Sequence, residues 1–329
     1  MRRLLVLLAA AGLLVAGPAS GYVKFGLGID GRDVVVQWRQ QPIRYFVNDS
    51  GVPGVSVDAL DAALRRAFAT WEAVPTARVR FSRAGFTGAR PSDDDGMNVL
   101  GFESRPAMER TLAVTSYTID LLEGSIVEAD VVFNAAQPWS VAGGGEPGRF
   151  DLESIALHEI GHLLGLGHSA LGETELAADG QRRLLAAGSI MFPIAFPGGS
   201  LEGRTLRADD IAGVSDLYPA GAGRGGSLSG RVTRDGRGVF GAHVVAYSLR
   251  SGELVGGFTL NESGEFVIAG LEPGPAIVRV EPLDDADLES FFEDSRPVDT
   301  GFAVTYYDGI AVVPRSGNAG GVDVAVRAR

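Results

Sequence analysis

The sequence contains no cysteine. Disulfides, thiolate nucleophiles and thiolate metal ligands are therefore excluded, and stability has to come from packed cores and other ligand types. Lysine is almost absent as well, Lys24 being the only one, and 29 Lys and Arg stand against 41 Asp and Glu for a net charge of −12. An acidic chain without a basic patch argues against nucleic acid or anionic membrane as the main partner. After residue 16 no apolar run is long enough to cross a bilayer, and there is no low-complexity tract or strong repeat. The exception is the N-terminus. Arg2 and Arg3 precede an apolar run from Leu4 to Ala16, and small residues, Ala19 and Gly21, follow. This pattern predicts an export signal over residues 1–21, removed before Tyr22, and hence a secreted, extracellular or periplasmic protein with no stable membrane insertion afterwards. An uncleaved anchor is the competing reading.

Histidine is also scarce, which makes its distribution informative. Of four histidines, at 158, 162, 168 and 243, three fall within HEIGHLLGLGHS, residues 158–169. His158 and His162 are four apart, so on a helix they stack on one face and can both reach one ion. Gly165 can adopt positive φ and turn the chain out of the helix, bringing His168 round as a third ligand. Three protein nitrogens leave a tetrahedral zinc one open position, the property that separates a catalytic site from a structural one. Glu159 lies beside the first ligand, placed to act as a base. His243, in a strand pattern, reads as a structural or surface histidine.

The remainder divides into two grammars. Ile43, Tyr45 and Val47 alternate as in a strand. Ser56 is placed to cap a helix from Val57 to about Ala73, with Leu60, Leu64, Ala67, Phe68 and Trp71 on its apolar face. Further strands are expected at 77–82, 97–102, 111–117 and 125–134, a turn at Asp93–Gly96, an Asp151-capped helix from Leu152 to about Leu164, and a last helix from Arg207 to Leu217. This is a mixed α+β pattern over residues 22–219. Residues 220–226 read as a linker. From 227 to 329 short alternating runs separated by Gly, Asp and Pro replace helical patterns and predict an all-β sandwich.

The first part resembles the metzincin zinc metalloproteases, and among them the matrixin group. The likeness rests on the zinc motif, Ser169 directly after His168, the Met-turn-like Ser189-Ile190-Met191-Phe192-Pro193, the segment Asp130–Asn134 with Pro138-Trp139-Ser140, and Asp209-Asp210-Ile211 with Leu217-Tyr218. It covers residues 38–219. The resemblance implies a zincin-type catalytic domain with a mixed twisted sheet and an active-site helix. Met191 would be a packing floor beneath the metal, thioether being a poor zinc ligand beside imidazole. Two family features are missing. No histidine precedes His158, so a second, histidine-held zinc site is excluded, and without cysteine there is no propeptide thiolate to enforce latency. Calcium is implied by the family, with Asp93, Asp94, Asp95, Glu128 and Asp130 as oxygen donors, although a solvated acidic turn accounts for the Asp run equally well. The second part resembles carboxypeptidase-regulatory-like, or transthyretin-like, modules in Gly230-Arg231-Val232, Gly241–Val244, Gly264-Glu265-Phe266 and Gly270–Gly274. Such motifs specify fold weakly and function hardly at all.

The activity implied is hydrolysis of internal peptide bonds in protein or peptide substrates, with zinc on His158, His162 and His168 and Glu159 as general base. The strand at 111–117 would be the sheet edge that receives a substrate strand. Ser154, small and one turn before His158, predicts an open pocket for a medium or large apolar residue. The sandwich is a candidate to bind another protein, a glycan or a surface, and two alternatives stay open: a non-catalytic extracellular binding or adhesion protein stabilised by metal, and a cell-surface structural protein whose sandwich domain carries the role.

Overall fold

The computed structural model describes residues 3–6, 26–29, 32–108, 111–178, 180, 182–221, 225–292 and 297–329. Most of the expected export signal and the centre of the expected linker, residues 222–224, lie outside them. Among the described residues no helix is long and apolar enough to cross a membrane.

The first part is a mixed sheet with helices packed on it. Strands β1 (Ile43–Asn48), β2 (Phe81–Thr87), β3 (Val99–Glu103), β4 (Ala113–Asp120) and β5 (Ser125–Asn134) lie in the order β4-β5-β3-β1-β2. β4 alone among these runs antiparallel to its neighbour; the others are parallel. The short segment Arg3–Val6 pairs antiparallel with Tyr117–Asp120 at the outer side of β4. The upper half of β4, beginning at Ala113, is not paired there by that segment.

Helix α1 (Val57–Glu72) starts where the sequence places it. The Ser56 side chain accepts the Ala59 N–H, and Leu60, Leu64, Ala67, Phe68 and Trp71 are buried. Each of the Leu and Phe side chains contributes on the order of 1.5–3 kcal/mol on leaving water. Phe68 stacks on Tyr45 with ring centroids 4.0 Å apart, fixing the helix to the sheet. Trp71 Nε1 donates to the Leu157 carbonyl at 2.9 Å and fixes it to helix α2 (Leu152–Leu163). α2 is buried on nearly every side, Glu153, Glu159 and His162 included. Its start is capped by Asp151, which accepts the Ser154 N–H at 2.9 Å and pairs with Arg204 at 2.5 Å.

Some boundaries move. The strand expected at 77–82 begins only at Phe81, because Arg78 N–H donates to Tyr218 O and Ala77 bridges Pro219. Ala77 and Arg78 are thus committed to the chain leaving helix α3 (Ala208–Leu217), where Arg207 is the cap and its N–H donates to the Asp210 carboxylate at 2.7 Å. A hairpin of β6 (Gly172–Leu176) and β7 (Arg182–Ala187) stands between the third histidine and the Met191 turn. Sequence pattern did not announce it.

From Gly226 onward the regular structure among the described residues is strands and one short 3-10 turn. β8 (Gly226–Arg234) pairs with β11 (Glu265–Leu271), and β9 (His243–Ser248) lies between β10 (Leu254–Phe258) and β12 (Gly274–Glu281). Leu228, Val232, Phe266 and Ile268 of one sheet and Val244, Ala246, Val278 and Val280 of the other are buried in one apolar cluster, which also contains the core of the first part. The two parts meet closely at α3. A Cβ at Gly270 would stand 2.8 Å from Ala212, and the Gly256 N–H donates to Asp209 at 2.8 Å.

Candidate metal centre

The end of α2 builds the centre. Leu166 N–H donates to Gly161 O at 3.0 Å and Gly165 N–H to His162 O at 2.6 Å, the paired bonds of a Schellman turn. Gly165 holds φ +98°, and a Cβ there would approach the Val36 carbonyl to 2.5 Å. The chain therefore reverses at this residue and returns His168 to the helix face carrying His158 and His162.

The three imidazoles converge, with candidate ligand atoms all within 4.8 Å of one another. His162 Nε2 and His168 Nε2 are 3.2 Å apart. Two nitrogens at ordinary zinc distance and tetrahedral angle stand roughly 3.3 Å apart, so this spacing fits zinc. Each ring donates its Nδ1–H to a backbone carbonyl: His158 to Ile190 at 2.7 Å, His162 to Leu166 at 2.8 Å and His168 to Ser290 at 2.7 Å. A carbonyl only accepts, so the proton sits on Nδ1 and every Nε2 keeps its lone pair for the metal. Burial lowers the pKa of all three, that of His168 to about 3, with the neighbouring histidine adding to the effect at His162 and His168. They are neutral at physiological pH, the state a metal requires.

Glu159 points to the edge strand. It is buried, and Thr115 Oγ1 donates to its Oε2 at 2.6 Å. Burial pushes its pKa up to about 7, the Thr115 hydrogen bond opposing the shift. Met191 packs directly on α2: a Cβ at Gly161 would overlap its sulfur. The Met191 turn hangs from Asp210, whose carboxylate accepts from Ser189 Oγ and from the Ile190 and Met191 N–H groups. A cleft of about 790 Å³ opens over the centre, lined by β4, α2, the Met191 turn and the residues after it. Ser154 lies in it, as do Phe150, Ile155 and Ile194.

Against the matrixin sequence model, residues 37–219 match. The chain belongs to the matrixin family. Metalloendoproteinase 5-MMP of Arabidopsis thaliana is 44% identical over 82 residues, 24% of this chain and 18% of the relative. Metalloendoproteinase 1 of Glycine max is 45% identical over 73 residues, 21% of this chain and 17% of the relative. Matrilysin of Rattus norvegicus is 33% identical over 89 residues, 27% of this chain and 26% of the relative. The chain thus spans about a fifth of the length of the plant relatives it matches.

Sequence reasoning missed three contributors to this matrixin centre. Thr115 and Tyr117, whose hydroxyl donates to the His162 carbonyl, lie on a strand where alternation alone marks no special side chain. Ser290 is 122 residues from His168 and acts through its backbone, which no side-chain motif reveals. Among the described residues no second group of three metal-binding side chains assembles. Two of the five acidic residues considered for calcium hold the neighbouring backbone. Glu128 accepts the Asp95 and Gly96 N–H groups, Asp130 accepts that of Val99, and Arg105 lines the hollow beside them. His243 is buried and hydrogen-bonds Glu281 at 3.0 Å, far from any ligand role.

Proposed function

We propose that this chain is a secreted zinc endopeptidase that hydrolyses internal bonds of proteins or peptides. The observation that carries the reading is the set of three imidazoles whose Nδ1 atoms are all committed to carbonyls, leaving three Nε2 atoms aimed at one point beside a buried carboxyl. Zinc held there by His158, His162 and His168 supplies a Lewis acid that acidifies a water and polarises a peptide carbonyl. Glu159 is the general base. It takes a proton from the attacking water and hands it to the departing amine, a role suited to a carboxyl poised near neutrality. Thr115 keeps that carboxyl turned to the cleft. The part of β4 that Arg3–Val6 does not pair, Ala113–Ser116, offers main-chain groups to an extended substrate, and the cleft beside Ser154, Ile155 and Ile194 takes an apolar side chain.

The remaining parts of the proposal concern the ends. Residues 1–21 act as an export signal whose removal also takes away the Arg3–Val6 strand that pairs with Tyr117–Asp120 of β4. Residues 22–219 form the peptidase domain, 220–226 the linker and 227–329 a β-sandwich of the carboxypeptidase-regulatory-like type. Calcium has no part in this catalytic reading; two of its expected ligands, Glu128 and Asp130, accept backbone N–H groups.

The test is cleavage of casein by the purified chain lacking residues 1–21. Wild type is expected to cleave; Glu159→Ala is expected to lose roughly 10²–10⁴-fold in rate; a chelator is expected to abolish turnover and zinc to restore it. A folded, zinc-loaded wild type that leaves casein and a library of unstructured peptides intact would support the non-catalytic binding protein instead.

A further inference from the structure

Of the three carbonyls that orient the zinc ligands, two belong to the matrixin part: Ile190 in the Met191 turn and Leu166 after α2. The third does not. Ser290 lies in the C-terminal β unit, on the loop that follows β12. Its carbonyl is held by a tight turn. Ser290 N–H donates to Asp287 O and Phe291 N–H to Leu288 O, both at 2.9 Å. Phe291, 1% exposed, wedges this turn in place, with ring centroids 6.3 Å from His168 and 5.6 Å from Phe258 of β10. The same turn walls the cleft through Asp287, Ser290 and Phe291.

The loop is also clamped to the β6–β7 hairpin, which forms the neighbouring wall with Leu176 and Arg182. Asp285 accepts the Thr174 N–H at 2.8 Å, its carbonyl accepts the Thr174 hydroxyl at 2.7 Å, and Arg182 donates to the Asp284 carbonyl at 2.8 Å. We infer that the C-terminal unit is a working part of the zinc site: Ser290, through its carbonyl, is the positioning residue for His168, and the 285–291 loop shapes the cleft. The inference rests on the zinc-peptidase reading above. Without the Ser290 carbonyl, His168 is free to rotate and to place its proton on either nitrogen, and an outer partner of this kind is worth roughly 10–100-fold in metal affinity.

The test uses the full chain after signal removal. Ser290→Pro abolishes the N–H that closes the turn, and Phe291→Ala removes its wedge; Phe291→Leu is the conservative rescue. Zinc affinity is read by competition with a chromophoric chelator, site geometry by the visible spectrum of the cobalt(II)-substituted protein, and fold by circular dichroism. The expected result is a zinc dissociation constant raised roughly ten-fold or more and an altered cobalt spectrum in Ser290→Pro and Phe291→Ala, both recovered in Phe291→Leu. Folded variants that bind zinc as wild type does and show its cobalt spectrum overturn the positioning role. Should those two variants fail to fold, Asp285→Ala, half-buried on the outer side of the loop, carries the question. It is expected to raise KM and to loosen zinc while leaving circular dichroism unchanged, and unchanged KM and affinity there overturn the inference. A wild type that takes up no zinc would overturn the peptidase reading itself, which separates the two failures.

Discussion

Gly161 shows how much of the site depends on one missing atom. It sits in the third turn of α2, where alanine is normally the better residue by ~1 kcal/mol. Here the added methyl would overlap Met191 Sδ and stand 3.0 Å from the Trp71 ring. The Trp71 ring cannot yield, and the Met191 thioether can move only by leaving its buried place beneath the helix. Trp71 is fully buried with its N–H spent on Leu157, and Met191 follows directly on Ile190, whose carbonyl orients His158. Gly161→Ala is therefore expected to lower stability by about 1–3 kcal/mol, the usual scale of overpacking, and to weaken zinc binding through Ile190. Thermal melting with and without zinc measures both, and a variant that melts above wild type would show that the helix term outweighs the clash. The residue that sequence inspection treats as a spacer between Glu159 and His162 is thus the seat of the Met191 floor.

At the scale of the element, β5 illustrates what pattern can and cannot reveal. Its span, Ser125–Asn134, agrees with expectation to the residue, because a long apolar alternation bounded by a glycine turn has few other solutions. The helices α1 and α2 were legible for the same reason, each having a side-chain cap and an unbroken apolar face. The β6–β7 hairpin was not. Leu176 and Leu185 are 70% and 58% exposed and only Leu184 is buried, so no period is imposed, and the strands owe their position to Leu184 packing in the Phe192 and Phe291 cluster and to Asp284 and Asp285 of the distant loop. The chemistry of β5 is likewise a tertiary matter. Asp130 is buried beneath the Asp93–Asp95 turn, and burial pushes its pKa from 3.8 up to about 8, with Glu128, Asp95 and Asp93 adding to the rise and the Val99 N–H opposing it. The folded state binds this proton more tightly than the unfolded chain does. Below about pH 3.8 both states hold it and nothing is lost. Between there and about pH 8 the unfolded chain ionises first, so stability falls as pH rises. Asp130→Asn keeps an oxygen for Val99 and carries no charge. It is expected to melt with wild type at pH 4 and above it at pH 8. A variant less stable than wild type at pH 8 would mean that the carboxylate is ionised and partnered by a cation, as calcium would require.

For the molecule as a whole the decisive fact is that the metal centre and the C-terminal unit are not separable in contact. One apolar cluster runs from Leu64 and Leu163 through Leu217 and Tyr218 to Leu228, Ile268 and Val280. Polar ties cross the same boundary at Asp209 with Gly256, His168 with Ser290 and Thr174 with Asp285. The change of sequence grammar near residue 220 divides the chain into two parts, but a composition boundary reports the chain and not the surface buried across it. Only folded coordinates show α3 lying against β11, with Gly270 admitting Ala212 where a side chain would collide. Two parts sharing a core unfold together, since melting either strips apolar area and hydrogen-bond partners from the other. Scanning calorimetry of the zinc-loaded chain is accordingly expected to show a single transition. Zinc at about a thousand times its dissociation constant adds roughly 4 kcal/mol to whatever unfolds with the site. If the C-terminal unit is part of that cooperative unit, chelation moves the whole transition downward without splitting it. Two resolved transitions, of which chelation shifts one and leaves the other in place, would show that the β unit folds on its own and that its contact with His168 is not coupled to stability.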